Sequence, residues 1–166
     1  MVGEGLRDSV RPPYTGDMKI DGQAVAEVIK AVEAQIPFNR VLGLHLEELT
    51  GEGVSLTFEW REELVGNWAR GALHGGTISA ALDVVGGLTA MMAAAVQADD
   101  ADLPDRFSRL GTIDLRVDYL RPGVGAAFRA SGFALRTGSR VAVTRMELHN
   151  EAGTLIAVGT GTYIVG

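Results

Sequence analysis

The chain has 166 residues, 46% of them hydrophobic, with 22 glycines, no cysteine and a formal net charge of −6. Such a length builds one domain with a sizeable core, and an acidic balance without a basic face argues against nucleic acid as a partner. The absence of cysteine removes disulfides, thiolate metal sites and cysteine nucleophiles together, and fits a cytoplasmic protein. No apolar h-region marks a signal peptide in MVGEGLRDSVRPPYTG.

Residues 1–17 are polar and punctuated by Pro and Gly, which predicts a flexible tail ahead of a single domain over 18–166. Asp21 then reads as an N-cap, with Val25, Val28, Ile29, Val32 and Ile36 at helical spacing and Pro37 as the stop. NRVLGLHLEEL (39–49) reads as a strand, Gly51–Gly53 as a tight turn and VSLTFEW (54–60) as the hairpin partner. A loop over 61–73 holds Asn67 and Trp68.

The stretch GALHGGTISAALDVVGGLTAMMAAAV (71–96) has Asp83 as its only charge. A helix apolar on every side is a buried helix or a membrane span. Asp83 near its centre would cost about 2.5–3.5 kcal/mol on insertion, and no flanking aromatic or basic belt is present, so a buried helix is expected and no membrane span. Each internal glycine costs about 1 kcal/mol of helix propensity, which is tolerable where a sheet, helix or ligand must approach the backbone.

Residues 97–108 read as an acidic surface loop without the order of a calcium-binding EF-hand. GTIDLRVDYLRP (111–122) alternates strictly, with Ile113, Leu115, Val117 and Tyr119 on one face and Thr112, Asp114, Arg116 and Asp118 on the other. Strands over 127–136, 140–149 and 154–165 follow short turns, which predicts three consecutive hairpins. The order is α-β-β-α-β-β-β-β, an α+β design with an antiparallel sheet curved about one long helix.

Asp83 follows His74 by nine residues, half a turn around and two and a half turns along a helix. The two therefore suit opposite ends of a site shared across a symmetric interface. A carboxylate in an apolar helix is either satisfied by a neighbouring group or functional, and the second reading is preferred. The HGG turn at 74–76 presents backbone amides at a helix N-terminus, where a developing oxyanion can be received. No G-x-S-x-G elbow accompanies it, and His74 is either a general base or the residue that orients the turn. His45, His74 and His149 lack metal-binding spacing and no phosphate-loop motif is present, so neither metal nor cofactor is expected. Arg116, Arg121, Arg140 and Arg145 lie on strands or their ends, either meeting a phosphate-bearing substrate or simply solvated.

The runs NWARGALHGGTISAALDVVGGL, GTIDLRVDYLRPG and TGTYIVG resemble the hotdog-fold thioesterases of the PaaI-like type, and among these the bacterial YigI family of acyl-CoA thioesterases, over about residues 36–165. The resemblance implies a hotdog fold, with subunits dimerised so that two sheets join and often paired again as a homotetramer. It implies that Gly75 supplies the amide that polarises a thioester carbonyl, with Gly76 beside it. It also implies that Asp83 of the facing subunit acts as base or nucleophile, and that the Thr112 hydroxyl helps to hold the water. Asn67 is the candidate for an Asn that contacts the site, one residue further from Gly71 than in relatives, a difference that a bulge would absorb. Arg116 and Arg121 are the candidates for substrate binding. An acyl-CoA thioesterase is the expectation, with Leu88, Met91 and Met92 either lining a tunnel for a medium or long acyl chain or forming plain core. Its rivals are a hydratase or dehydratase on 3-hydroxyacyl thioesters and a non-catalytic acyl-CoA-binding protein.

Overall fold

A computed structural model describes residues 22–51, 53–98 and 102–166. The expected tail over 1–17 and the Asp21 cap lie outside them. Helix α1 (Gly22–Lys30) loosens into one wide turn over Ala31–Gln35 and stops at Ile36. Pro37 does more than stop it. Its fixed φ suits the start of a helix, and α2 (Pro37–Leu42) begins there, overturning the reading of 39–42 as strand. Gly43 closes α2 at φ 68°, with its N–H on Arg40 and the Leu44 N–H on Asn39, a Schellman ending that needs a left-handed residue.

Strands β1 (His45–Leu49) and β2 (Val54–Glu59) form the expected hairpin. The 61–73 segment is more ordered than a loop: a turn of 3-10 helix over Glu62–Leu64 leads into a small hairpin of β3 (Val65–Asn67) and β4 (Ala72–Leu73). Helix α3 (Gly75–Ala98) follows, and α4 (Leu103–Arg109) replaces most of the expected acidic loop. The Asp102 side chain caps α4 by accepting from the Asp105 N–H at 3.1 Å, so part of that acidity is helix-start chemistry.

Strands β5 (Gly111–Tyr119), β6 (Ala127–Thr137), β7 (Val141–Asn150) and β8 (Leu155–Ile164) complete a six-stranded antiparallel sheet in the order β1-β2-β6-β7-β8-β5. The last three strands are joined by hairpins, but the expected β5–β6 hairpin does not form. Strand β5 lies at the far edge beside β8, and residues 120–126 carry the chain back to β6. Pro122 removes a ladder donor, the N–H groups of Leu120 and Arg121 both turn to the Ile156 carbonyl, and Gly123 accepts from Leu73. The Glu151 carboxylate receives the N–H groups of Ala126 and Ala127 at 3.0 and 3.3 Å, which holds it below the usual carboxylate range.

The sheet wraps α3, whose 24 residues run about 36 Å. By length and composition α3 would cross a membrane, yet 72% of its most apolar window is buried against the protein's own sheet and helices. Ala81, Leu82, Val85, Leu88, Met91 and Met92 are fully enclosed with Leu56, Phe58, Phe128, Met146 and Ile156. This is the hotdog arrangement. Close approach explains why glycine is abundant here: a Cβ at Gly132 of β6 would lie 2.4 Å from the Thr89 hydroxyl and 3.2 Å from the Val85 carbonyl. Gly132→Ala is therefore expected to destabilise the fold by about 1–3 kcal/mol, read from the urea midpoint. Pairing it with Thr89→Ala should cost less than the two single changes summed.

Candidate active site

One end of the site is the start of α3. Strand β3 presses on it so closely that a Cβ at Gly66 would fall 2.6 Å from the His74 Cα, and the Leu64 carbonyl accepts the His74 N–H at 2.8 Å. His74 folds its own ring back: Nδ1 accepts the Gly76 N–H at 2.8 Å, which puts the proton of a neutral imidazole on Nε2. His74 thus orients the turn, and the Gly76 amide is engaged inside it rather than offered to a substrate. The Gly75 N–H meets no acceptor among the described residues and lies at the positive end of the α3 dipole. The Tyr119 hydroxyl donates to the Gly75 carbonyl at 3.0 Å. An open cleft of about 370 Å³ lies in front of this turn, lined among others by Asn67, Arg70, Gly75, Ile78, Tyr119 and Arg121.

Asp83 is the other candidate, just over two turns on from Gly75, and is not among the residues that line this cleft. Its Oδ1 receives the Thr112 hydroxyl at 3.0 Å and the Tyr163 hydroxyl at 3.3 Å, and Tyr163 lies within the same distance of the Asp83 carbonyl. Thr112 faces Asp83 because the strict alternation expected of β5 breaks once. Thr112 pairs with Tyr163 and Asp114 with Thr162, so Ile113 is an extra residue, a bulge. Thr112 thereby joins Leu115, Val117 and Tyr119 on the face toward α3, and the polar outer face keeps Asp114, Arg116 and Asp118.

Several roles expected from the sequence change on this geometry. Arg116 pairs with Asp118 at 3.1 Å on the outer face and does not line the cleft. Arg121 does line it, with one guanidinium N–H on the Leu155 carbonyl at 2.9 Å. Asn67 is exposed at the cleft; the β3–β4 register shifts between Val65 and Asn67, ahead of Asn67 and not in the stretch to Gly71 where its spacing differs. Leu88, Met91 and Met92 are buried in the core at 1%, 1% and 0% exposure and are not among the residues that line the cleft. No group of three or more His, Asp or Glu side chains among the described residues is arranged to hold a metal.

Tyr163 is the residue that sequence reasoning passes over. Its ring is buried, and burial first, then the Asp83 charge, pushes its phenol well above the usual range. A signal was available: a tyrosine alternating with Gly159 and Gly161 on one strand face, matched by Gly86-Gly87 on the long helix.

The fold is a sheet wrapped on one long helix whose N-terminal turn can receive a developing oxyanion, and the comparisons give its family. The model of the thioesterase superfamily matches residues 70–157, and the chain belongs to that family. The medium/long-chain acyl-CoA thioesterase YigI of Escherichia coli (strain K12) is 47% identical over 147 residues, spanning 87% of this chain and 95% of that protein. A crystal structure of a Shewanella oneidensis protein related to the thioesterase superfamily superposes with a TM-score of 0.82 at 46% identity, covering 87% of this chain and 96% of that one. The thioesterase HI1161 of Haemophilus influenzae, at 16% identity and a TM-score of 0.65 over 82% and 88% of the two chains, shares the fold.

A neutral phenol in the folded state and an ordinary one in the unfolded state set a pH dependence. The folded-state pKa is raised, so the contribution of Tyr163 is complete below the ordinary phenol pKa of about 10 and is lost as pH climbs above it. The urea midpoint of the wild type should fall more steeply above about pH 10 than that of Tyr163→Phe, measured by fluorescence.

Proposed function

We propose that the chain is an acyl-CoA thioesterase that releases CoA and a free acid from medium- to long-chain acyl-CoA, in a site built between two subunits. The observation that carries this reading is the separation of its two halves. Gly75 and Asp83 lie on one helix about 12 Å apart along the axis, and only Gly75 lines the cleft.

Strand β5 links them. Its inner face carries Thr112 beside Asp83 at one end and Tyr119 beside Gly75 at the other. Among the described residues it is also an edge strand with one side of its ladder unpaired, a surface that pairs readily with another strand. Antiparallel pairing of two such edges about a two-fold axis near Leu115–Arg116 would bring the Thr112 end of one subunit against the Tyr119 end of the next. Each interface would then hold two identical sites, as an isologous contact requires. The assembly is a homodimer, or a homotetramer formed from two such dimers.

In this site the thioester carbonyl accepts from the Gly75 N–H, where the helix dipole favours the negative charge that develops on oxygen. Asp83 of the facing subunit either deprotonates a water that attacks the carbonyl carbon or attacks it directly. The carbon–sulfur bond breaks and CoA leaves as the thiol with a proton from water; after direct attack, a water hydrolyses the acyl–Asp83 anhydride, and the acid follows. Asn67 and Arg121 flank the entrance on the Gly75 side, where they can meet the polar part of the substrate. The chain-length class rests on similarity to YigI.

Thiol release from acyl-CoAs, acetyl to stearoyl with phenylacetyl and benzoyl, tests the reading. The expected result is a preference for medium and long chains and a loss of about a hundredfold or more in Asp83→Asn. Wild-type protein that is folded and oligomeric yet releases no thiol from any ester would refute it. The shared site has its own test. Gly75→Pro removes the amide N–H at a position where a helix start tolerates proline. Refolded together in equal amounts, the inactive Gly75→Pro and Asp83→Asn chains should recover about a quarter of wild-type activity, since half the dimers are hybrids with one intact site. Sites contained in single chains would recover nothing.

A further inference from the structure

Asp83 is held unevenly. Both hydroxyls that reach it, from Thr112 on β5 and Tyr163 on β8, reach Oδ1, while Oδ2 makes no hydrogen bond among the described residues. The two donors form a directly opposed cross-strand pair, so their spacing is fixed by the β5–β8 ladder rather than by two independent side chains.

The pocket that admits Tyr163 is made by absent side chains on both of its walls. A Cβ at Gly86, one helical turn after Asp83, would lie 2.4 Å from the Tyr163 oxygen, and a Cβ at Gly161 would lie 2.6 Å from its ring. Met146 packs on the same space, 2.8 Å from that Gly86 position. Any side chain at Gly86 or Gly161 would crowd the ring and shift its hydroxyl. The helix gives up propensity at Gly86, and the room so made is filled by this phenol.

We propose that Tyr163 is a positioning residue for hydrolysis: with Thr112 it clamps Asp83 through Oδ1 and leaves Oδ2 as the oxygen that meets the water or the thioester carbon. The inference rests on the reading of Asp83 as the reacting carboxylate. Tyr163 suits the task because its proton is kept: burial and the adjacent negative charge both disfavour the phenolate, so it remains a donor to the carboxylate. A carboxylate with one oxygen tied and one free can turn only about a restricted axis, which is how a reacting group is kept in an attack geometry.

The test is a double-mutant cycle on thiol release. Tyr163→Phe keeps the ring in its pocket and removes only the donor. Expected are a fall in kcat of about tenfold to a hundredfold, a KM within about twofold of wild type, and a melting temperature within a few degrees at neutral pH. In an Asp83→Asn background the same change should alter the residual rate by less than about twofold, because the residue through which it acts is already gone. Gly86→Ala crowds the hydroxyl and Met146 from the helix side, and should reproduce the loss in kcat at unchanged KM. Wild-type kcat in Tyr163→Phe, or an equal loss in both backgrounds, would overturn the positioning role while leaving Asp83 in place. Full activity in Asp83→Asn would instead remove the reading beneath it, and the proposal with it.

Discussion

A carboxylate on the flank of a buried helix must find partners, and the sheet around α3 is shaped to provide them. Asp83 would be costly in an apolar wall if left alone. It is satisfied by hydroxyls from two neighbouring strands, and reaching it demands that β8 run close under the helix, that glycine stand where the tyrosine passes, and that β5 present a threonine inward. The glycine at 86 and the break in β5 both make room for the groups that meet one charge at one height along one helix.

The edge strand carries the second dependency. Because β5 touches Asp83 with one end and the helix-start turn with the other, it is both a ruler between the two halves and the border of the subunit. In the proposed reading the two halves lie at different heights on one helix, and a neighbouring subunit joins them. In the proposed assembly, the stability of the interface and the chemistry are two properties of the same strand.

Most of this is legible in the amino-acid sequence. The long apolar stretch with one Asp, the Gly-rich turn before it and the late alternating strands point to the helix, its wrapping sheet and the two ends of the site. What escapes such a reading has physical causes. Pro37 is equally a stop and a start, and only the burial of Leu42 and Asn39 decides for a second helix. The acidic segment ahead of β5 conceals a capped helix because an N-cap Asp and a surface Asp are the same letter. The β5–β6 hairpin is inferred from adjacency in the chain, whereas the sheet places β5 beside β8, a non-local pairing that no short turn announces. Tyr163 escapes notice because a buried aromatic on a strand is ordinarily core, and its polar partner lies 80 residues away.

The bulge in β5 gives the strand a phase. On either side of Ile113 the pleat obeys the usual alternation, but the two segments are out of step by one residue. The inner face is read as odd numbers toward Tyr119 and as an even number at Thr112. What matters at this point is the phase of the ladder rather than the residue type. Deleting Ile113 would leave every pair intact and Thr112 still turned to the helix, whereas drawing Ile113 into the ladder would put Thr112 on the Asp114 face and turn its hydroxyl to the solvent. A frame one residue long, and not the chemistry of the residue that fills it, joins the sheet to the carboxylate it serves.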